Sequence, residues 1–100
     1  GLESPTAGRV VLSAQPAALS GTTINFSWSP LSDSDRYQVE VFNAKLEEVA
    51  RFEAAGDTSL TVQTNRVGAA AGTLWWRVVA FRDGDEIAHS PLSSLNLGPR

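Results

Sequence analysis

Residues Leu74-Trp75-Trp76-Arg77-Val78-Val79-Ala80-Phe81 run directly into Arg82-Asp83-Gly84-Asp85. Large, β-branched and aromatic side chains favour a pleated, half-buried ribbon. Asp-Gly favours a type I′ reversal, which needs positive φ at both central positions. A long strand that turns back on itself at once must pair in a sheet, and this excludes a helical bundle.

The rest of the chain extends the same pattern. Thr23 to Ser29 alternates strictly, with Ile24, Phe26 and Trp28 on one side and Asn25, Ser27 and Ser29 on the other, until Pro30 ends the ladder. Arg36 to Phe42 alternates again, Tyr37, Val39 and Val41 opposing Gln38, Glu40 and Phe42. Arg9 to Leu12 reads as a short strand stopped by Pro16, with Ala14 to Gly21 as a connection. Asn43-Ala44-Lys45 and Gly56-Asp57 read as turns, and Ser59 to Gln63 as a strand with Leu60 and Val62 inward. Leu46 to Ala54 fits neither period well; an edge strand with a bulge and a single helical turn both remain open. Asn65 to Gly72 is small and flexible, and Glu86 to Leu97 is a last strand interrupted at Pro91.

Seven strand candidates at short, even spacing predict an all-β, seven-stranded sandwich or small barrel. The expected inward set is Leu12, Ile24, Phe26, Trp28, Tyr37, Val39, Val41, Leu60, Val62, Leu74, Trp76, Val78, Ala80, Leu95 and Leu97. With 100 residues the chain is one domain. Residues 1–8 read as a lead-in, 9–97 as the sandwich and 98–100 as a tail. The opening Gly1 suggests a cleavage scar on a piece of something longer.

Composition narrows the partners. A net charge of −3 without any Lys/Arg cluster argues against nucleic acid and an anionic membrane surface. No apolar run approaches the ~20 residues of a spanning helix, so direct membrane insertion by this segment is not expected. Cysteine is absent, which removes disulfides, thiolate nucleophiles and zinc-thiolate sites and leaves the compartment undecided by redox chemistry.

Trp28-Ser29-Pro30, then Tyr37-Gln38-Val39-Glu40-Val41, then Trp75-Trp76-Arg77-Val78-Val79-Ala80 ending in Asp-Gly resembles the fibronectin type III family over about Arg9 to Leu97. The Trp-Arg form of the third segment looks like bacterial members. The resemblance implies an immunoglobulin-like sandwich acting as a spacer, adhesive module or accessory domain. Relatives occur in secreted glycoside hydrolases, surface proteins and extracytoplasmic parts of membrane-anchored regulators, including anti-sigma factors. The sequence departs from the family at Leu74, where relatives carry the tyrosine of the tyrosine corner. The Asn65–Gly72 connection should therefore be more mobile than is usual in the family.

Candidate chemistry is sparse. His89 is the sole histidine and stands beside Ser90, which a strand would turn to the opposite face; a catalytic triad needs convergence instead. Asp33 and Asp35, and the cluster Asp83, Asp85 and Glu86, have acidic spacing but too few oxygens for calcium; side-chain-to-backbone bonds in turns account for them. Arg82-Asp83-Gly84 inverts the order of the Arg-Gly-Asp adhesion motif, and Asn25-Phe26-Ser27 matches a glycosylation pattern inside a strand. No catalytic, metal or cofactor-binding residue is assigned, and none of these groups suggests an enzyme.

One feature exceeds a plain sandwich. If Trp76 and Val78 point inward, Trp75, Arg77, Val79 and Phe81 point outward, with Phe42 beside them. Such a stripe serves a neighbouring domain or another protein, a weak homodimer, or a stacked sugar ring; alternatively Arg77 and other long side chains cover it locally. The expected function is a non-catalytic extracytoplasmic module (periplasm or cell surface) of a larger bacterial protein, for spacing or protein–protein contact. A concrete version is the terminal domain of a membrane-anchored regulator such as an anti-sigma factor. The alternative is an accessory, glycan-binding domain of a secreted polysaccharide-degrading enzyme.

Overall fold

Alternating runs of apolar and polar side chains build two antiparallel sheets. The computed structural model describes residues 12–68 and 72–97. Its strands are β1 (Ala18–Ser20), β2 (Thr23–Ser27), β3 (Arg36–Phe42), β4 (Glu48–Ala54), β5 (Ser59–Gln63), β6 (Thr73–Arg82), β7 (Asp85–His89) and β8 (Ser93–Asn96). One sheet has the order β1-β2-β5; the other is β4-β3-β6-β7, with β8 also paired to β6. The sandwich expected from the sequence is the one observed.

The strand inventory differs from the expected seven in three places. Residues 9–11 of the first candidate strand lie outside the described residues, although Leu12 is fully buried. β1 falls where a connection was expected. Ala14 bridges Trp28, the chain bends past Pro16, and Ala18–Ser20 then pairs with Thr23–Asn25 across a turn at Gly21. The last strand is two strands: β7 pairs with Val79–Arg82 and β8 with Thr73–Trp76 on the same edge of β6. In the gap, Ser90 N–H donates to the Val78 carbonyl at 2.8 Å. The Ser90 hydroxyl accepts the Val78 N–H at 2.9 Å. A buried serine side chain thus completes the ladder where Pro91 interrupts the backbone.

The Leu46–Ala54 stretch resolves as the end of a turn at Leu46 and Glu47 followed by the edge strand β4, Glu48–Ala54, which carries a bulge. Val41 opposes Ala50 while Phe42 opposes Glu48, so Val49 is the extra residue. Asp83 and Gly84 have φ of 53° and 86°, the double positive φ that a type I′ turn demands.

The core lies between the sheets. Phe26 and Trp76 meet across the layers with ring centroids 4.9 Å apart, and Trp28 and Tyr37 with centroids 5.5 Å apart. Both pairs are tilted or edge-on, the geometry favoured by ring quadrupoles. Trp28 and Trp76 are buried so deeply that neither indole N–H finds a partner.

Twelve of the fifteen expected inward residues are fully buried; Leu60, Val62 and Leu97 are half-buried and pack against the core. Leu60 and Val62 remain partly exposed because β5 is a sheet edge. Val67, Ala54 and Ala88 join the core although the alternation did not mark them. Val67 sits on a 3₁₀ turn, Thr64–Val67, that closes on Gly68 at φ 75°. The start of the Asn65–Gly72 connection is therefore ordered by a buried anchor, and its residues 69–71 lie outside the described residues.

Leu74 is buried and supplies no hydroxyl. A tyrosine tie exists elsewhere: Tyr37 Oη accepts the Leu31 N–H at 2.9 Å, fixing the loop after Pro30.

Candidate functional site

β3 and β6 pair in register from Arg36↔Phe81 to Phe42↔Trp75. This register places Gln38, Glu40 and Phe42 beside Trp75, Arg77, Val79 and Phe81 on the outer surface of the larger sheet. The sequence-predicted residues are thus brought together on one face. Phe42, Trp75, Arg77 and Phe81 are half-buried there.

Val79 departs from the expectation: it is fully buried rather than exposed. Its neighbours in the sheet are Gln38 on β3 and His89 on β7. A short β-branched side chain between two longer ones is closed over from both sides, which facing direction alone does not reveal.

Charged groups cover much of the remaining stripe. Glu40, itself buried, accepts a hydrogen bond from Arg77 Nε at 2.8 Å. The Arg77 guanidinium lies 6.0 Å from the centroid of the Phe42 ring, and that of Arg36 lies 4.7 Å from that of Phe81. Arg36 also pairs with Glu53 at 2.7 Å, and Gln38 donates to the same carboxylate at 3.1 Å. Hydrogen bonds from Arg36 and then from Gln38 hold the Glu53 carboxyl below its ordinary value. Arg51 pairs with Glu48, whose hydrogen bond and charge raise the guanidinium pKa. Local cover and an apolar remnant thus coexist on this face.

The remnant lies at one end. Phe42, Leu46, Arg77 and Leu92 line an open depression of about 220 Å³. Leu46 and Leu92 are 53% and 43% exposed, among the largest solvent-facing apolar side chains described. Sequence reasoning missed both because neither lies on a strand. Leu46 has φ 64° in the β3–β4 turn, where Asn43 Oδ1 accepts the N–H groups of Lys45 and Glu47. Leu92 follows Pro91 in the gap between β7 and β8. An apolar residue in a turn that has no core to enter is the signal that was available. Chemically, the depression offers an apolar rim, an aromatic wall and one guanidinium, a setting for a partner's apolar side chain or a flat ring.

The other candidates take local roles. His89 is exposed and lies 3.1 Å from Glu86, while Ser90 is buried on the opposite side. Asp35 Oδ2 accepts the Asp83 N–H at 2.9 Å, and Asp35 N–H donates to the Phe81 carbonyl, joining the loop to the hairpin. Asp33 lies 3.7 Å from Arg82. Asn25 donates to Thr61 Oγ1 at 2.8 Å from an exposed face of β2. Among the described residues, no group of three or more His, Cys, Asp or Glu side chains is arranged to hold a metal ion. No helix among them is long and apolar enough to cross a membrane.

No protein-family model matches the chain. No curated protein matches it either. Solved structures do. An Fn3-like protein from Clostridium thermocellum matches with TM-score 0.66 at 22% identity, over 94% of this chain and 97% of that one. The fibronectin type III domain of human fibronectin type III domain containing protein 3 matches with TM-score 0.63 at 16% identity, over 98% of this chain and 94% of that one. A β-1,2-glucanase from Parabacteroides distasonis matches with TM-score 0.64 at 17% identity, over 90% of this chain. This chain spans only 13% of the glucanase, so there the same architecture is one part of a much longer protein. Two packed antiparallel sheets in this strand order, together with these matches, establish that the chain has the fibronectin type III fold.

Proposed function

We propose that this chain is a non-catalytic module of a larger bacterial extracytoplasmic protein, and that it spaces and docks neighbouring protein through the outer face of its larger sheet. The observation that carries this reading is the depression lined by Phe42, Leu46, Arg77 and Leu92, with two leucines left in solvent at its rim. Exposed leucine in turns contributes nothing to the core, and covering it on a partner is favourable by ~25 cal/mol per Å². Trp75 and Phe42 extend the apolar ground, and Glu40–Arg77 orients it. Val79 takes no part in contact, because it is already enclosed. Within this reading, one concrete parent is a membrane-anchored regulator such as an anti-sigma factor, with this domain at its end.

Hydrogen exchange on the isolated chain and on its full-length parent tests the reading. Amides of Asn43 to Glu47 and of Leu92 should become protected in the parent. Equal exchange in both would overturn docking through this face.

A second reading is an accessory domain of a secreted polysaccharide-degrading enzyme, and the glucanase match favours it. Titration with soluble glucan oligosaccharides, followed by tryptophan fluorescence, separates the two. Saturable quenching that Trp75→Ala abolishes selects the glycan role.

A further inference from the structure

Among the described residues, the smaller sheet ends on an edge, β5, that lacks the protections of the others; β1 and β8 are also uncharged, but with three and four residues they are too short to template another chain. β4 carries a bulge and the charged residues Glu48, Arg51 and Glu53. β7 carries Asp85, Glu86 and His89. Bulges and charges are the usual devices that keep an edge from pairing with another chain. β5, Ser-Leu-Thr-Val-Gln, has none of them: its five residues hold no charge and no proline. Its register with β2 runs without a shift from Ser59↔Ser27 to Gln63↔Thr23.

The hydrogen-bond phase of this edge follows from its ends. The Thr58 carbonyl accepts the Trp28 N–H, and the Thr64 N–H donates to the Thr22 carbonyl, so both groups point toward β2. Alternation along an antiparallel ladder then directs Leu60 and Val62 toward β2 as well. The N–H and C=O groups of Ser59, Thr61 and Gln63 point the other way, off the sheet.

We propose that β5 is a self-association edge, and that a second copy of this chain pairs with it antiparallel about a two-fold axis at Thr61. In this register Thr61 opposes Thr61 of the second copy as a hydrogen-bonded pair, and Ser59 opposes Gln63. Every outward N–H of the three residues meets an outward C=O. Leu60 opposes Val62, so the two inward residues that the monomer leaves half-buried cover each other. A threonine pair and an aliphatic pair are favourable across strands, and no like charges meet. The two three-stranded sheets become one continuous sheet, with the self-complementary interface that a two-fold axis requires. This edge is on the opposite sheet from the docking face proposed above, so either proposal can fail without the other.

Sedimentation velocity of the 100-residue chain, from micromolar to millimolar concentration, tests it. Wild type should shift reversibly from monomer to dimer, and Thr61→Pro should abolish the shift. Proline there removes an N–H that faces away from β2, so the intramolecular ladder is kept. A chain that stays monomeric throughout, or a dimer that survives Thr61→Pro with its secondary structure intact, would overturn the proposal. If Thr61→Pro does not fold, single-cysteine variants decide, since the chain has no cysteine of its own. Thr61→Cys should be joined into a covalent dimer by a short bismaleimide, which spans a hydrogen-bonded pair that a disulfide does not fit, many-fold faster than Arg51→Cys on the β4 edge; equal rates would overturn it.

Discussion

The Glu40 carboxylate and the Arg77 guanidinium lie 2.8 Å apart on adjacent strands, at a centre of the outer face where Glu40 is almost wholly withdrawn from water. Removing Glu40 takes away the partner of a half-buried guanidinium in a partly desolvated pair, which costs more than breaking a pair that water already reaches. Glu40→Ala should therefore destabilise the domain more than Glu48→Ala, whose partner Arg51 is exposed. Urea unfolding of the two variants checks this. Equal midpoints would mean that Glu40 is solvated in solution.

Ser90→Ala should cost about 1–3 kcal/mol, because it leaves the buried Val78 N–H without an acceptor. Ser90→Thr keeps the hydroxyl, and where the added methyl is accommodated it should restore much of the loss. Thermal unfolding is the measurement; an unchanged Tm for Ser90→Ala would show that water or the backbone replaces the hydroxyl.

Trp76→Ala should cost ~3–5 kcal/mol, since the ring is fully buried against Phe26. Trp76→Phe should cost clearly less. It keeps an aromatic ring and deletes an indole N–H that has no partner. Guanidinium unfolding of both variants tests the ranking, and similar losses would contradict it.

Glu53 contributes a pH-dependent term of known sign. Its folded pKa is lowered from 4.5 by hydrogen bonds from Arg36 and Gln38. The stabilisation is therefore complete above 4.5 and is lost as pH falls through the lower folded value. The group is exposed, so the effect is small. Tm of wild type should exceed that of Glu53→Gln at neutral pH, and the two should converge well below 4.5. A gap that widens on acidification would reverse the assignment.

Much of this fold is legible in the sequence, and the reason is local. Ile24, Phe26, Trp28, Tyr37, Val39, Val41, Trp76 and Val78 alternate with polar residues on strands whose inner side meets the opposite sheet, so period and burial coincide. Val79 broke that rule because burial also depends on the side chains flanking it from neighbouring strands. Val67 was invisible because a 3₁₀ turn has no strand period. β1 escaped because Ala18–Ser20 is short and exposed, and its pairing is set by the turn at Gly21. On the candidate face, the strand residues were legible and the loop residues Leu46 and Leu92 were not. Their importance comes from where two turns converge in space.

The division of the final strand also has a mechanical consequence. β7 and β8 grip different stretches of β6, joined only by the Ser90–Leu92 link. Tension applied beyond Leu97 would load the four pairs of β8 first, leaving Asp85–His89 seated. Because Leu95 belongs to the core and Leu97 packs against it, that release would open the end of the sandwich beside Leu74, so the C-terminal strand is where a pull on this domain is first felt.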